Sequence, residues 1–486
     1  MADFLDPIPW LIVLPLAWGT LAFVLGAGRG GRLAVGAIAL QMVLAVQLAG
    51  QLVGDGQRAY AVGGWGAPLG IDLYADGLAT VMLLLTQAVA LPLAVYARGY
   101  FAAQPRGRAH FWPLTGLLLA ALNALFVSAD LFNLYVTLEL LGLAAVGLVA
   151  IAGGAAPVAA AMRYLLATLL GSGAYLMGVA LIYGGTGTVS LAVLAPLVNA
   201  DAPFAVTLAA ALMLAGLMLK TALFPFHFWL PPAHGGAPAP VSALLSALVI
   251  KASFYLAVRL WLELFAPLTT VAAAQLLGAL GAAAIVWGSW LALLQTRVKM
   301  LVAYSTVAQV GYLFLLFPLA TVGAPAIAHD AVAGGALLAV AHGLAKAAMF
   351  AAAGAMIVAT GRDDIDQLGG VGAHLPLTLF SFGLAGVTLM GLPPSAGFSA
   401  KWLLLMAALA SGQWWWVAVM IVGGLLTAAY VFKVLRRGFL PLPAGHRITS
   451  VPRTLEVSAF ALAVASVALG LFGAPLVELL GVGRSG

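Results

Sequence analysis

A chain of 486 residues that is 64% hydrophobic and only 7% charged, with a mean hydropathy of +1.11, lacks the charged surface of a soluble domain and reads as a polytopic membrane protein. It has no cysteine, which excludes disulfides, thiolate metal sites, protein-held iron–sulfur clusters and covalent haem within the chain. The net charge of +6 is scattered over short loops, so no nucleic-acid partner is expected.

The N-terminus carries Asp3 and Asp6 ahead of its first apolar run, where a signal peptide wants a basic start, so this segment is expected to stay uncleaved. Apolar runs of about 20 residues, each long enough to span a bilayer, follow at 8–27, 33–53, 75–96, 111–127, 130–152, 160–183, 205–229, 239–262, 272–294, 300–320, 331–357, 374–411, 414–436 and 455–480. The expected fold class is therefore an all-α polytopic membrane protein of about 14 transmembrane helices. Between the second and third, the glycine-rich stretch from Tyr60 to Leu73 reads as a hairpin or loop outside the membrane. Loops after odd-numbered segments hold most of the Lys and Arg residues, among them Arg29, Arg32, Arg98, Arg106, Arg297 and Lys299. Only Arg58 and Arg259 follow even-numbered segments, and Arg484 sits on the C-terminal tail. The positive-inside rule then puts the odd loops in the cytoplasm and both termini outside, with Trp414, Trp415 and Trp416 at the outer interface.

Segment 7, LAGLMLKTALFPFHFWLPP, and segment 12, LAGVTLMGLPPSAGFSAKW, share a pattern. Each begins Leu-Ala-Gly, at Leu214 and Leu384, and each then meets proline, at Pro225 and at Pro393–Pro394. Proline removes a backbone donor and clashes with the preceding turn, so both helices should break. Broken backbone at membrane depth is tolerated only where protein or a water-lined cavity satisfies it. The breaks lie five helices apart, and an odd offset inverts topology, so helices 4–8 and 9–13 are expected to form two inverted five-helix repeats. The domains are thus 1–110 (helices 1–3 with the hairpin), 111–262 (first repeat), 272–438 (second repeat) and 455–480 (helix 14).

Inside the apolar segments stand Glu139, Lys220, Lys251, Lys346 and Lys401. A charge at mid-bilayer costs roughly 2.5–3.5 kcal/mol on insertion scales, so a chain of ionisable groups that passes protons or cations is the natural use of five. A structural ion pair is the plainer use of Glu139. Lys220 is too far from its helix start to snorkel to the interface. Desolvation disfavours a charged lysine and a nearby carboxylate favours it, so a Glu139–Lys220 pair would be a switch. His342 lies one turn from Lys346 on the same face and suits a proton relay, although a lone buried histidine is more often structural. Ser305, Gln309 and Tyr312 line one stripe of helix 10, with Gln309 as deep in its helix as Glu139 is in helix 5. His227 and His234 flank the first break; without a carboxylate or thiol nearby they make no metal site. No cofactor and no redox or hydrolytic centre is expected in this chain.

The stretches DLFNLYVTLE, LMLKTALFPFHFWLPPAH, APAPVSALLSALVIK, LVAYSTVAQVGY, HGLAKAAMF and GLPPSAGFSAKW occur in order along nearly the whole chain. In these it resembles the antiporter-like membrane subunits shared by Mrp-type cation/proton antiporters and respiratory complex I (NADH-quinone oxidoreductase). The external GGWGAPLGIDLYAD, and Lys401, look most like the D-type member of the Mrp set. The resemblance implies a 14-helix fold with a hydrated polar axis in which Glu139, Lys220, Lys251 and Lys401 carry conduction. Three positions depart from the family pattern. Pro232 replaces an Asp, Arg297 followed by Lys299 replaces an Asp-led pair, and Arg163 stands where helix 6 usually opens with lysine. Arg163 cannot deprotonate, so beside Glu139 it would tune the acid rather than relay a proton.

Three functions fit. The first is the proton-translocating subunit of a multi-subunit Mrp-type antiporter exchanging Na⁺ or K⁺ for H⁺ across a bacterial plasma membrane. The second is a proton-pumping subunit of a complex I-type oxidoreductase or membrane hydrogenase. The third is a membrane subunit of a proton-driven inorganic carbon uptake complex. In each, the partners are other antiporter-like and small membrane subunits within the lipid bilayer.

Overall fold

The computed structural model describes residues 6–105, 107–442 and 445–483; Asp3, Arg106 and Arg484 lie outside them. The long helix Pro7–Asp55 is two spans, because Gly26 takes φ 75° and ψ 165° and turns the chain between α1 (7–25) and α2 (27–55). An antiparallel hairpin follows, β1 (Arg58–Ala61) paired to β2 (Asp72–Ala75) with Arg58 opposite Ala75. Then come α3 (Gly77–Ala103), α4 (Arg108–Val127), α5 (Leu131–Ala150), α6 (Ala155–Thr186), α7 (Phe204–Gly236) and α8 (Ala239–Leu264). The second unit comprises α9 (Val271–Leu294), α10 (Val298–Val322), α11 (Pro325–Thr360), α12 in two halves (Pro376–Met390 and Ala396–Ala410) and α13 (Trp414–Gly438). α14 (Arg453–Leu471) follows, and the segment expected as one helix to 480 breaks before a short helix at Ala474–Leu480. The carboxylates of Asp76 and Asp130 cap α3 and α5, accepting from the amides of Ala79 (2.9 Å) and Asn133 (2.7 Å).

α8 and α11 are buried over their central stretches, while α1, α2, α13 and α14 turn large apolar side chains such as Phe23, Val43 and Phe432 outward. α11 can lie at the centre because its sequence is mostly Ala and Gly, which lets neighbouring backbones approach. A Cβ added at Gly354, for example, would stand 2.3 Å from the Cβ of Ala239. Trp414 and Trp415 are exposed, but Trp416 is buried and its indole donates to Gln413 (3.1 Å), so the expected outer trio is a pair.

The two five-helix units share the hydrogen bonding of their breaks. In α7, Ala222 (φ 58°) ends the first half, the amide of Leu223 returns to the carbonyl of Met218, and that of Phe226 to Leu223. In α12, Gly391 (φ 82°) does so, Leu392 returns to Val387, and Ser395 to Leu392. Residues 218, 222, 223 and 226 thus correspond to 387, 391, 392 and 395. The Leu-Ala-Gly match, which pairs 214 with 384, is one residue out of this register, because backbone geometry aligns the breaks and side-chain identity does not. Both first halves also end before their prolines, since a proline ring collides with the carbonyl four residues back. Lys220 therefore sits in the last turn of its half-helix, where the helix dipole favours a cation.

The same close approach fixes α6 against α7. A Cβ at Gly216 would fall 2.3 Å from the carbonyl oxygen of Gly171, a backbone atom that cannot step aside. Gly216→Val should destabilise the protein by about 1–3 kcal/mol, read as a lower thermal-unfolding midpoint in detergent. Gly36→Val, facing open space, should leave the midpoint unchanged.

Candidate functional site: a buried row of lysines

The row begins on α5. Glu139 Oε1 lies 3.5 Å from Lys220 Nζ, with the Lys220 side chain 6% exposed and that of Glu139 18% exposed. Lys220 also donates to the hydroxyl of Thr168 on α6 at 2.7 Å. Arg163, which would tune Glu139 if it lay beside it, is exposed and makes no ion pair among the described residues; five residues separate it from Thr168, which puts the two on different faces of α6. Thr168 takes that place. A cavity of about 20 Å³, room for one water molecule, lies between Lys220, Thr168 and Ser253.

Hydroxyls carry the row onward. Thr221, next to Lys220, donates to Ser253 on α8 at 3.0 Å. Lys251 is fully buried and its ammonium donates to the carbonyl of Ser246. That carbonyl lies in a π-helical stretch, Leu245–Val249, whose wider turn disturbs the regular ladder. The Ser246 hydroxyl meets Thr306 of α10 at 3.0 Å. Lys346 of α11 reaches the same part of α10, donating to the Val302 carbonyl at 2.9 Å and to the Ser305 hydroxyl. His342 is buried with both ring nitrogens lacking a protein partner, and the charges of Lys251, Lys346 and Lys401 all act on it. Buried polar groups of this kind are met by water.

The row ends at the second break. Pro393 has no N–H to offer the carbonyl of Leu389, and Lys401 Nζ donates there at 2.7 Å while standing 3.8 Å from the ring centre of Tyr312. Gln309 reaches the same carbonyl and Thr427, each at 3.3 Å. Tyr430 interacts with Thr427, Gln309 and Ser305, linking this end back to Lys346. In the break register Leu389 corresponds to Lys220, so Gln309 addresses backbone where Glu139 addresses an ammonium group. Tyr312 itself donates to Met420 at 3.2 Å.

Three other basic or imidazole groups stand to one side. His227 is half-buried on the α7 break, stacked on Phe224, and no hydrogen bond joins it to the lysines among the described residues. His234 is buried against Phe350, within the fields of Lys299, Lys346 and Lys251. Lys299, expected in a loop, is buried in the first turn of α10 and donates to the carbonyl of Ala237. Thr168, Thr221, Ser246, Ser253, Thr306, Thr427 and Tyr430 were not singled out by the sequence. Some, such as Ser246, Ser253 and Thr306, stand on a helix with a buried lysine, but Thr168, Thr427 and Tyr430 do not, and hydroxyls of this kind occur at many structural positions.

The chain compares closely with known proteins. The family described as NADH:quinone oxidoreductase/Mrp antiporter, transmembrane, matches residues 128–427. The N-type subunit of NADH-quinone oxidoreductase from Desulforudis audaxviator is 36% identical over 470 residues, 93% of this chain and 91% of that protein. The D-type subunit of the Na⁺/H⁺ antiporter from Alkalihalophilus pseudofirmus is 29% identical over 406 residues, 83% of this chain and 80% of that one. A chain of the Mrp complex from Dietzia superposes with a TM-score of 0.88 at 27% identity, covering 98% of this chain and 96% of that one.

Removing the hydroxyl that holds Lys220 tests the geometry directly. Thr168→Val should cost about 1.5–3 kcal/mol, the worth of a hydrogen bond to a charged group, measured as a fall in the unfolding midpoint. Thr86→Val, whose hydroxyl only returns to its own helix at Met82, should cost far less.

Proposed function

The chain belongs to the NADH:quinone oxidoreductase/Mrp antiporter transmembrane family, and from that premise we propose that it is the proton-translocating subunit of a multi-subunit Mrp-type Na⁺(K⁺)/H⁺ antiporter in a bacterial plasma membrane. The observation that carries this reading is the Glu139–Lys220 pair at the head of a hydroxyl-bridged row running through Lys251 and Lys346 to Lys401. Separating Glu139 from Lys220 removes the charge that favours the ammonium form and releases a proton into the row; His342 relays it between Lys251, Lys346 and Lys401. Ser305, Gln309 and Tyr312 line the path, and His234 with Lys299 extends it towards the end that carries the basic loops. That end is cytoplasmic by the positive-inside rule, so both termini lie outside.

Glu139 is the row's one carboxylate among the described residues, too few oxygens for a Na⁺ site. The subunit therefore carries the proton, and selectivity for Na⁺ or K⁺ is shared with partner subunits. The two inverted repeats, residues 111–262 and 272–438, act as two halves of the path. The 36% identity to an N-type subunit of NADH-quinone oxidoreductase favours a second reading, a proton-pumping subunit of a complex I-type assembly. Purifying the intact complex and identifying its companion subunits separates the two.

In the assembled complex, reconstituted into liposomes, Glu139→Gln should abolish cation-dependent proton exchange without loss of membrane insertion. Lys346→Ala and Lys401→Ala should each impair it, while the exposed Arg447→Ala should not. Near-normal exchange in Glu139→Gln removes the assignment; normal exchange in both lysine variants confines the path to the first repeat. The chain purified alone should show no exchange, because its charges form a lateral row rather than a pore. Robust exchange by the isolated chain would make it a self-sufficient antiporter.

A further inference from the structure

The last turns of α8 carry a second set of charges that the lysine row does not use. Arg259 is buried, its side chain 9% exposed, although its place in the sequence reads as a loop. Its guanidinium makes a two-pronged pair with Asp76 (2.5 and 2.6 Å) and a third bond to Glu263 (2.7 Å). Its Nε donates to the hydroxyl of Tyr255 at 2.9 Å, and that hydroxyl donates to the carbonyl of Phe126 at 2.6 Å. Tyr255 is one helical turn from Lys251 on the same face of α8. The two acids that share Arg259 differ sharply. Asp76 is 4% exposed and fixed as the cap of α3, whereas Glu263 is 51% exposed. A π-helical stretch, Leu260–Leu264, lies just where Glu263 joins, and such stretches recur at functional sites.

Tyr255, Arg259 and Glu263 line a cavity of about 340 Å³, with Asp72, Tyr74 and Ser190 among its other walls. It sits between the β1–β2 hairpin, the α4–α5 junction and the segment after α6, which isolated bridges from Leu73 to Ser128 and from Asp130 to Ser190 tie together. Its rim residues Ala192 and Ala195 are exposed, so the cavity opens to the surface.

We propose that this vestibule is the outer port of the lysine row, and that Arg259, held between Asp76 and Glu263, is the gate between it and Lys251. The inference rests on the proposed proton path. The arrangement in the structure is the closed one. The Tyr255 hydroxyl is engaged on both sides, accepting from Arg259 and donating to the carbonyl of Phe126. Moving Arg259 outward onto Glu263 frees the Tyr255 hydroxyl to take a proton on its oxygen from vestibule water and pass its own towards Lys251, or the reverse. Glu263 and Arg259 are positioning residues in this scheme. The transferred species is a proton, so no co-reactant is required.

The chain has no cysteine, which makes the port testable by labelling. Ala192→Cys is introduced into the assembled complex in right-side-out vesicles and treated with a membrane-impermeant, positively charged methanethiosulfonate. The parent complex under the same reagent is the reference. The adduct should slow proton exchange by about tenfold, the scale on which local fields alter ion access. The same adduct at Leu69→Cys, on the exposed hairpin turn, should not. Separately, Glu263→Gln should slow exchange several-fold and Glu263→Asp should restore it, a charge dependence that a purely structural role does not produce. If Glu139→Gln abolishes exchange while the Ala192 adduct leaves it intact, the path stands and this port is overturned. If Glu263→Gln exchanges at the rate of the unaltered complex, the gate is overturned. If Glu139→Gln exchanges normally, the path itself fails and the port falls with it.

Discussion

An ammonium group taken into the apolar interior loses several kcal/mol of hydration, and it survives only where acceptors replace the lost water. Regular helices have few acceptors to spare, because each carbonyl already has one lone pair bonded to an amide four residues on, although Lys346 does share the Val302 carbonyl of α10 in this way. For Lys251, Lys299 and Lys401 this protein supplies them by spoiling its own helices nearby. Pro393 strips the Leu389 carbonyl of its partner, and Lys401 takes it. A π-helical stretch holds the carbonyl that Lys251 uses. Lys299 takes the carbonyl of Ala237, at the turn into α8. The breaks and the lysines are thus one feature: each is tolerable at membrane depth because of the other.

Lys220 differs from the rest of the row, being held by a carboxylate and a hydroxyl instead of backbone. Its local balance depends on a side chain that can move, whereas Lys251 and Lys401 answer to main chain that cannot. In the proposed path, this places control in the first repeat and conduction onward into the second. The exchange of Glu139 for Gln309 between the two units fits this division, because an amide can address the Leu389 carbonyl and the Thr427 hydroxyl without bringing a charge. The outer cluster follows the same rule from the other side, with Arg259 buried only because Asp76 and Glu263 accompany it.

Much of this was legible in the sequence, for reasons that are themselves physical. Spans, breaks and buried lysines announce themselves because water-to-lipid transfer penalises every exception heavily, so a lysine in LVIKASFY or a Pro-Pro in LMGLPPSAG stands out. Hydroxyls do not stand out. Thr168 and Ser246 bond as readily to their own helices as to a lysine, and spacing cannot tell which. Arg259 and Lys299 looked like loop residues because they fall near helix ends, yet both are buried by elements distant in sequence: Asp76, which caps α3, and the turn at Ala237. The family pattern suggested that Arg163 would tune Glu139 if it lay beside it, but rotation about the α6 axis decides which side chain faces inward, and that is Thr168. The one-residue slip between the Leu-Ala-Gly match and the hydrogen-bonded breaks has the same origin, since geometry follows the backbone.

The most direct test is Lys251→Met, which keeps an unbranched stem of nearly the same length at the middle of the row while removing its proton site. In proteoliposomes of the purified, fully assembled complex, with pH followed by an entrapped dye, the account predicts loss of cation-dependent proton exchange with subunit composition and unfolding midpoint retained. Exchange at the rate of the unaltered complex would contradict it, because protons would then be crossing without the residue that joins the two repeats.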